Sequence, residues 1–133
     1  MYGYVVQDWI TIRGAQSITS IIQSEQDWLG FSAYQDIVFW LDVRELTNSA
    51  GTITMNYETA PTKDDSLFVA MVSGVTMAAA ATPTVTKVLL NQNPTVPLAR
   101  WVRWRISTTG VGAAGWDATF RILAAANAVS MQG

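Results

Sequence analysis

The chain has 133 residues, 50% of them hydrophobic and 14% charged, a formal net charge of −2, and neither cysteine nor histidine. A soluble domain is typically about 25% charged, so this one carries roughly half the usual charge. The missing Cys excludes disulfides, thiolate metal sites and Cys nucleophiles. The missing His removes the commonest general base and metal ligand, leaving carboxylates, Lys, Tyr and Ser as the available catalysts.

The length fits one domain able to bury about two-thirds of its unfolded surface. No apolar run approaches the ~20 residues of a membrane-spanning helix. Met1-Tyr2-Gly3-Tyr4 does not open a basic region followed by an apolar one, so no signal peptide is expected.

Along the chain, residues 1–30 read as an N-terminal strand or arm, with strands expected near 4–12 and 17–23. The first of these is expected at a sheet edge, of its own sheet or of a neighbouring subunit's. Ser24-Glu25-Gln26-Asp27 separates this segment from a β-sandwich core over residues 31–126. There the period is two. Ile37, Phe39, Leu41 and Val43 alternate along one strand. Ile53, Met55 and Tyr57 alternate against Thr52, Thr54, Asn56 and Glu58 along the next. Each is the signature of a half-buried strand rich in β-branched and aromatic residues.

Asn48-Ser49-Ala50-Gly51 turns between these two, and Ala60-Pro61-Thr62-Lys63-Asp64-Asp65 turns after the second. Asp64-Asp65 offers only two carboxylates, too few ligands for Ca²⁺, which takes 6–8 oxygens. It reads instead as a solvated turn capping the next strand. Strands follow near 67–73 and 84–90. The alanine run after Val75 reads as a strand end and loop, because Thr82-Pro83 ends any helix there.

Residues 98–106 place Leu98, Val102, Trp104 and Ile106 on one face and Trp101, Arg103 and Arg105 on the other. Residues 117–123 set Ala118, Phe120 and Ile122 against Asp117, Thr119 and Arg121. Residues 127–133 read as a C-terminal arm. About eight antiparallel strands, with long connections at 24–36 and 91–97 and no confident helix, predict an all-β, jelly-roll-like sandwich.

The net charge conceals an asymmetry. Arg13, Arg44, Lys63 and Lys87 stand against nine acids before residue 100, whereas Arg100, Arg103, Arg105 and Arg121 stand against Asp117 alone after it. The overall balance argues against non-specific nucleic-acid binding. Six tryptophans, at positions 9, 28, 40, 101, 104 and 116, serve cores, contacts between subunits or stacking on sugars. Trp104 is in register with the core. Trp101, Arg103, Arg105 and Arg121 are the candidate interface, with subunit contact, a solvated face and a ligand site as the readings. Asp36, Asp42, Glu45 and Glu58 have strand-end or outward positions and form no convincing catalytic pair. Gly110-Val111-Gly112 lacks the helix start and Lys-Ser/Thr of a phosphate loop. No catalytic residue, cofactor site or metal site is expected.

Three stretches carry a resemblance: Tyr34-Gln35-Asp36 through Trp40-Leu41-Asp42-Val43; Tyr57-Glu58-Thr59-Ala60-Pro61 with Asp64 and Phe68; and Leu98-Ala99-Arg100-Trp101-Val102-Arg103-Trp104 with Trp116-Asp117-Ala118-Thr119-Phe120-Arg121-Ile122. Together they resemble the jelly-roll capsid decoration (cement) proteins of tailed bacteriophages, in pattern over about residues 30–126 and without a diagnostic motif. The resemblance implies a non-enzymatic virion protein made in the host cytoplasm. Its partners would be the major capsid protein and its own copies, as dimers or trimers. It implies neither membrane nor nucleic-acid binding. A carbohydrate-binding module with exposed Trp, or a tail, neck or spike component, remains the alternative.

Overall fold

A computed structural model describes residues 2–89 and 96–128. The strands are β1 (Tyr2–Gly14), β2 (Ser20–Ile22), β3 (Leu29–Gly30), β4 (Tyr34–Asn48), β5 (Thr52–Ala60), β6 (Val69–Ala70), β7 (Val75–Thr76), β8 (Thr84–Val88), β9 (Trp101–Thr109) and β10 (Trp116–Ala128). Two short 3₁₀ turns, Glu25–Asp27 and Asp65–Leu67, interrupt them.

All pairings are antiparallel and form two sheets. The first has the order β1-β10-β4-β8. In the second, β9 and β5 pair along their whole lengths. Each therefore has one free side: β2 and β3 share that of β9, and β6 and β7 share that of β5. Counting each broken edge as one strand gives eight. With each broken edge taken as one strand, the chain crosses between sheets at every step except from β5 to the β6/β7 edge, which is jelly-roll wrapping.

The alternation seen in the sequence sets the core. Ile37, Phe39, Leu41 and Val43 of β4 and Phe120 and Ile122 of β10 face Ile53, Met55 and Tyr57 of β5 and Val102, Trp104 and Ile106 of β9. The Phe39 ring lies parallel to that of Tyr57, with centroids 4.0 Å apart. Trp104 meets Phe120 edge to face at 5.3 Å. These contacts join the two sheets, so the core lies between them.

The departures from expectation are local. The strand expected at 67–73 shrinks to β6, because Asp64 caps a 3₁₀ turn through residue 67. The strand expected at 17–23 keeps only its centre as β2. The run after Val75 is a strand end and loop, as the sequence indicates. β10 runs five residues beyond the expected end at 123, with Ala124 and Ala126 fully covered opposite Phe39 and Ile37. Alanine is a poor strand former alone, but here large partners across the ladder leave room only for a small side chain.

β1 is the edge strand of its own sheet, paired with β10 over nearly its whole length. Asn127 and Ala128 belong to β10 rather than to an arm. The rest of the expected C-terminal arm, and residues 91–95 of the expected long connection, lie outside the described residues.

Candidate functional site

The outer face of the second sheet carries Trp101, Arg103 and Arg105, together as the alternation predicts. Glu58 of β5 stands directly across from Arg103. The Arg103 Nε donates to Glu58 Oε1 at 2.9 Å, and its Nη1 donates to Asp65 Oδ1 at 2.5 Å. The second oxygen of Glu58 accepts from Arg105 Nε at 3.0 Å, and Arg105 Nη1 donates to Ser20 Oγ at 2.6 Å. The guanidinium carbon of Arg103 lies 4.0 Å from the Phe68 ring centroid and 4.9 Å from that of Trp28.

Arg103 is therefore fully buried outside the main core, under a second small cluster of Trp28, Ala60 and Phe68 against which Trp101 packs. Both connections that cross this face hang from it. Residues 24–28 contribute Trp28, whose Nε1 donates to the Gln23 carbonyl at 2.9 Å. Residues 61–68 contribute Asp65 and Phe68. In the isolated chain Arg103 has no exposed surface to offer a partner, and carboxylates already compensate its charge. It fastens two loops to the sheet. Arg105 and Trp101 remain half-exposed, and Lys63 and Arg100 both lie over the Trp101 ring.

The acidic pair of the 61–68 loop divides its labour. Asp64 accepts from the Ser66 amide at 3.0 Å and the Ser66 hydroxyl at 2.8 Å. The Ser66 hydroxyl, and then its amide, hold the Asp64 carboxyl below its ordinary pKa. Asp64 is the turn cap the sequence suggested. Asp65 is more than a solvated turn residue, because it reaches Arg103.

Arg121, the fourth candidate, lies on the other sheet. Its Nε donates to Asp42 Oδ2 at 3.1 Å, and both it and Arg44 lie over the ring of Trp9. The four candidates thus divide between two outer faces on opposite sides of the sandwich and do not form one patch.

Beyond Arg121, the outer face of the first sheet turns apolar. The register runs Val5↔Leu123, Leu123↔Trp40 and Trp40↔Val85, a continuous apolar row across all four strands. The next row outward is Gly3, Ala125, Val38 and Lys87. Val5 is 58% exposed and Val85 46%, and Trp40 and Leu123 are half-buried between them. A shallow depression lined by Gly3, Val5, Trp40 and Leu123 lies in this face. The sequence signal was available: β4 and β10 carry apolar residues on both faces, with Val38 and Trp40 of β4 and Leu123 and Ala125 of β10 on the outer one.

No protein-family model, curated protein or solved structure matches the chain. Among the described residues no three acidic side chains converge as metal ligands, and no helix is long and apolar enough to cross a membrane. A cleft between Arg13, Asn48, Ser49, Trp116 and Asp117 opens at one end of the sandwich.

Proposed function

We propose that the chain is a structural subunit of a virion: a decoration protein that binds the outer face of a phage head and stabilises the shell. The observation that carries this reading is the apolar row across the solvent face of a folded, well-packed sheet. Large contiguous apolar patches on a soluble chain mark contact surfaces, and interface cores are depleted in charge. The low charge content and the jelly-roll wrapping agree with the resemblance drawn from the sequence. The mechanism is linkage: a protein that binds the assembled shell and not its dispersed subunits stabilises assembly, by about 2.7 kcal/mol per site at a free concentration 100 times Kd.

A carbohydrate-binding module uses several bare aromatic faces; the rings of Trp9 and Trp101 each carry two cationic groups, and Trp40, which carries none, is half-buried among aliphatic side chains. A tail, neck or spike subunit would use the same surface and differs only in its partner. The test is gradient purification of particles with and without the protein, followed by heat challenge. The protein is expected to co-sediment with heads and to raise the temperature at which they release DNA. Particles that exclude it, or that are equally robust without it, would remove the decoration role.

A further inference from the structure

The outer face of the first sheet shows what is able to cover it. Its two central strands are β10 and β4. At one level they carry Leu123 and Trp40, and at the next Arg121 and Asp42; the flanking strands β1 and β8 carry Val5 and Val85. Consider a second copy laid face to face, with the two-fold axis parallel to the strands and running between β10 and β4. That operation exchanges left and right and keeps the level along the strand. Leu123 then meets the partner's Trp40, Val5 meets the partner's Val85, and Arg121 meets the partner's Asp42.

Two-fold interfaces oppose a patch to itself, so a patch with net charge repels its own copy. Here the charges one level below the row are a pair of opposite sign in mirrored positions, Arg121 and Asp42, and the single charge one level above it, Lys87, is placed by the same operation opposite the partner's Gly3 rather than opposite its own copy. The same operation therefore turns each intrachain pair into a four-membered network. Size agrees as well. Three strands of 13 to 15 residues and a fourth of five, about 4.8 Å apart with about 3.4 Å per residue, present up to roughly 750 Å², close to the share per partner of a standard stable interface.

We infer that the outer face of the β1-β10-β4-β8 sheet is a homodimer interface, occupied by the same face of a second copy. The inference rests on reading this face as a contact surface and names its occupant.

The experiment is sedimentation equilibrium of the full chain over a dilution series, with circular dichroism of each variant to confirm its fold. The wild type is expected at twice the 14.5 kDa chain mass. Val5→Lys and Val85→Lys are at exposed positions that tolerate lysine in the monomer, and each should weaken the dimer at least about tenfold. Asp42→Arg places like charges opposite each other and should also dissociate it. Asp42→Arg combined with Arg121→Asp reverses both signs and should restore it. Lys63→Glu, on the other sheet, should leave the mass unchanged.

A wild type that stays monomeric, a trimer, or a dimer indifferent to both valine substitutions would overturn the inference. A charge reversal that fails to rescue a folded double variant would overturn this pairing of faces. Head binding is scored separately. A monomer that binds heads through this face refutes the dimer and leaves the decoration role standing, and a dimer that binds no head does the reverse.

Discussion

Removing the charge of Glu58 should be the most damaging conservative change on the second sheet. Glu58 bridges Arg103 and Arg105, and the three side chains are unequally buried: Arg103 is 0% exposed, Glu58 10% and Asp65 70%. Glu58→Gln leaves a fully buried guanidinium facing only a solvent-screened carboxylate. Breaking a buried pair from one side costs about 3–5 kcal/mol, and the retained Asp65 places this case near about 3. Asp65→Asn removes an exposed partner and should cost no more than about 1 kcal/mol. Arg103→Met keeps an apolar stem between Phe68 and Trp28 and leaves Glu58 paired with Arg105, so about 0–2 kcal/mol is expected. For 133 residues the entropy of unfolding converts each kcal/mol to about 3–4 °C in Tm, so Glu58→Gln should lower Tm by roughly 10 °C. Urea unfolding followed by Trp fluorescence reads the series. Since most of the loss reflects a stranded Arg103, the Glu58→Gln/Arg103→Met double variant should be more stable than Glu58→Gln alone. Additive losses, or Asp65→Asn matching Glu58→Gln, would refute the account of a buried cation held by one decisive carboxylate.

Other consequences follow from the core, the loops and the hairpin. The Tyr57 hydroxyl is buried with no hydrogen-bond partner among the described residues, so Tyr57→Phe should leave stability at pH 7 unchanged or raise it by up to about 1 kcal/mol. Burial raises the Tyr57 pKa. Its contribution is therefore intact below the unfolded value near about 10 and is lost as pH rises toward the folded one, so the phenylalanine variant should lose less stability above pH ~10 in alkaline melts. Ser66→Ala removes the hydroxyl that most lowers the Asp64 pKa, and an NMR titration should find that carboxyl ionising at higher pH. A lowered folded pKa stabilises above the unfolded value near about 3.9 and is lost as pH falls through the folded one, so the alanine variant should show a weaker acid dependence. Gly51 has φ 74°, and a Cβ there would lie 2.1 Å from the Thr109 carbonyl oxygen. Gly110 has φ 68°, and a Cβ there would meet only the Gly51 Cα at 3.8 Å, an ordinary contact, so Gly110→Ala should cost the left-handed penalty of about 1–2 kcal/mol and Gly51→Ala clearly more. Equal thermal shifts would contradict the contact.

What was legible in the sequence was what period and neighbours determine. Ile53, Met55 and Tyr57 face the core because their strand alternates, and the Asn48–Gly51 turn sits where its residues demand. The fate of Arg103 was not legible. Its two carboxylates stand 45 and 38 residues away, and the rings that cover it come from two different connections. Alternation correctly placed it opposite the core, and that invited reading it as a surface residue, for subunit contact, a solvated face or a ligand. The separation of Arg121 from the other three candidates was hidden for a related reason, because sequence order does not say which sheet a strand joins in a jelly roll. The apolar row required the register of four strands at once. What the sequence did offer was the apolar residues on both faces of β4, a departure from clean alternation.

The charge count with which the sequence opens takes a different meaning once those charges are placed. Of the eight basic side chains, Arg103, Arg105 and Arg121 are held by carboxylates, and Arg44, Lys63 and Arg100 lie over tryptophan rings. Six of the eight cations thus sit in carboxylate pairs or over Trp9 and Trp101, and Lys87 stands exposed one level from the uncharged row of Val5, Trp40, Leu123 and Val85. A monomer that relied on charge for solubility would distribute it across its outer faces. Concentrating it in pairs and cation–π contacts leaves an apolar remainder, which the proposed second copy would cover. Low charge and the uncovered row are therefore one property of the chain, and restoring charge at Val85 tests both together.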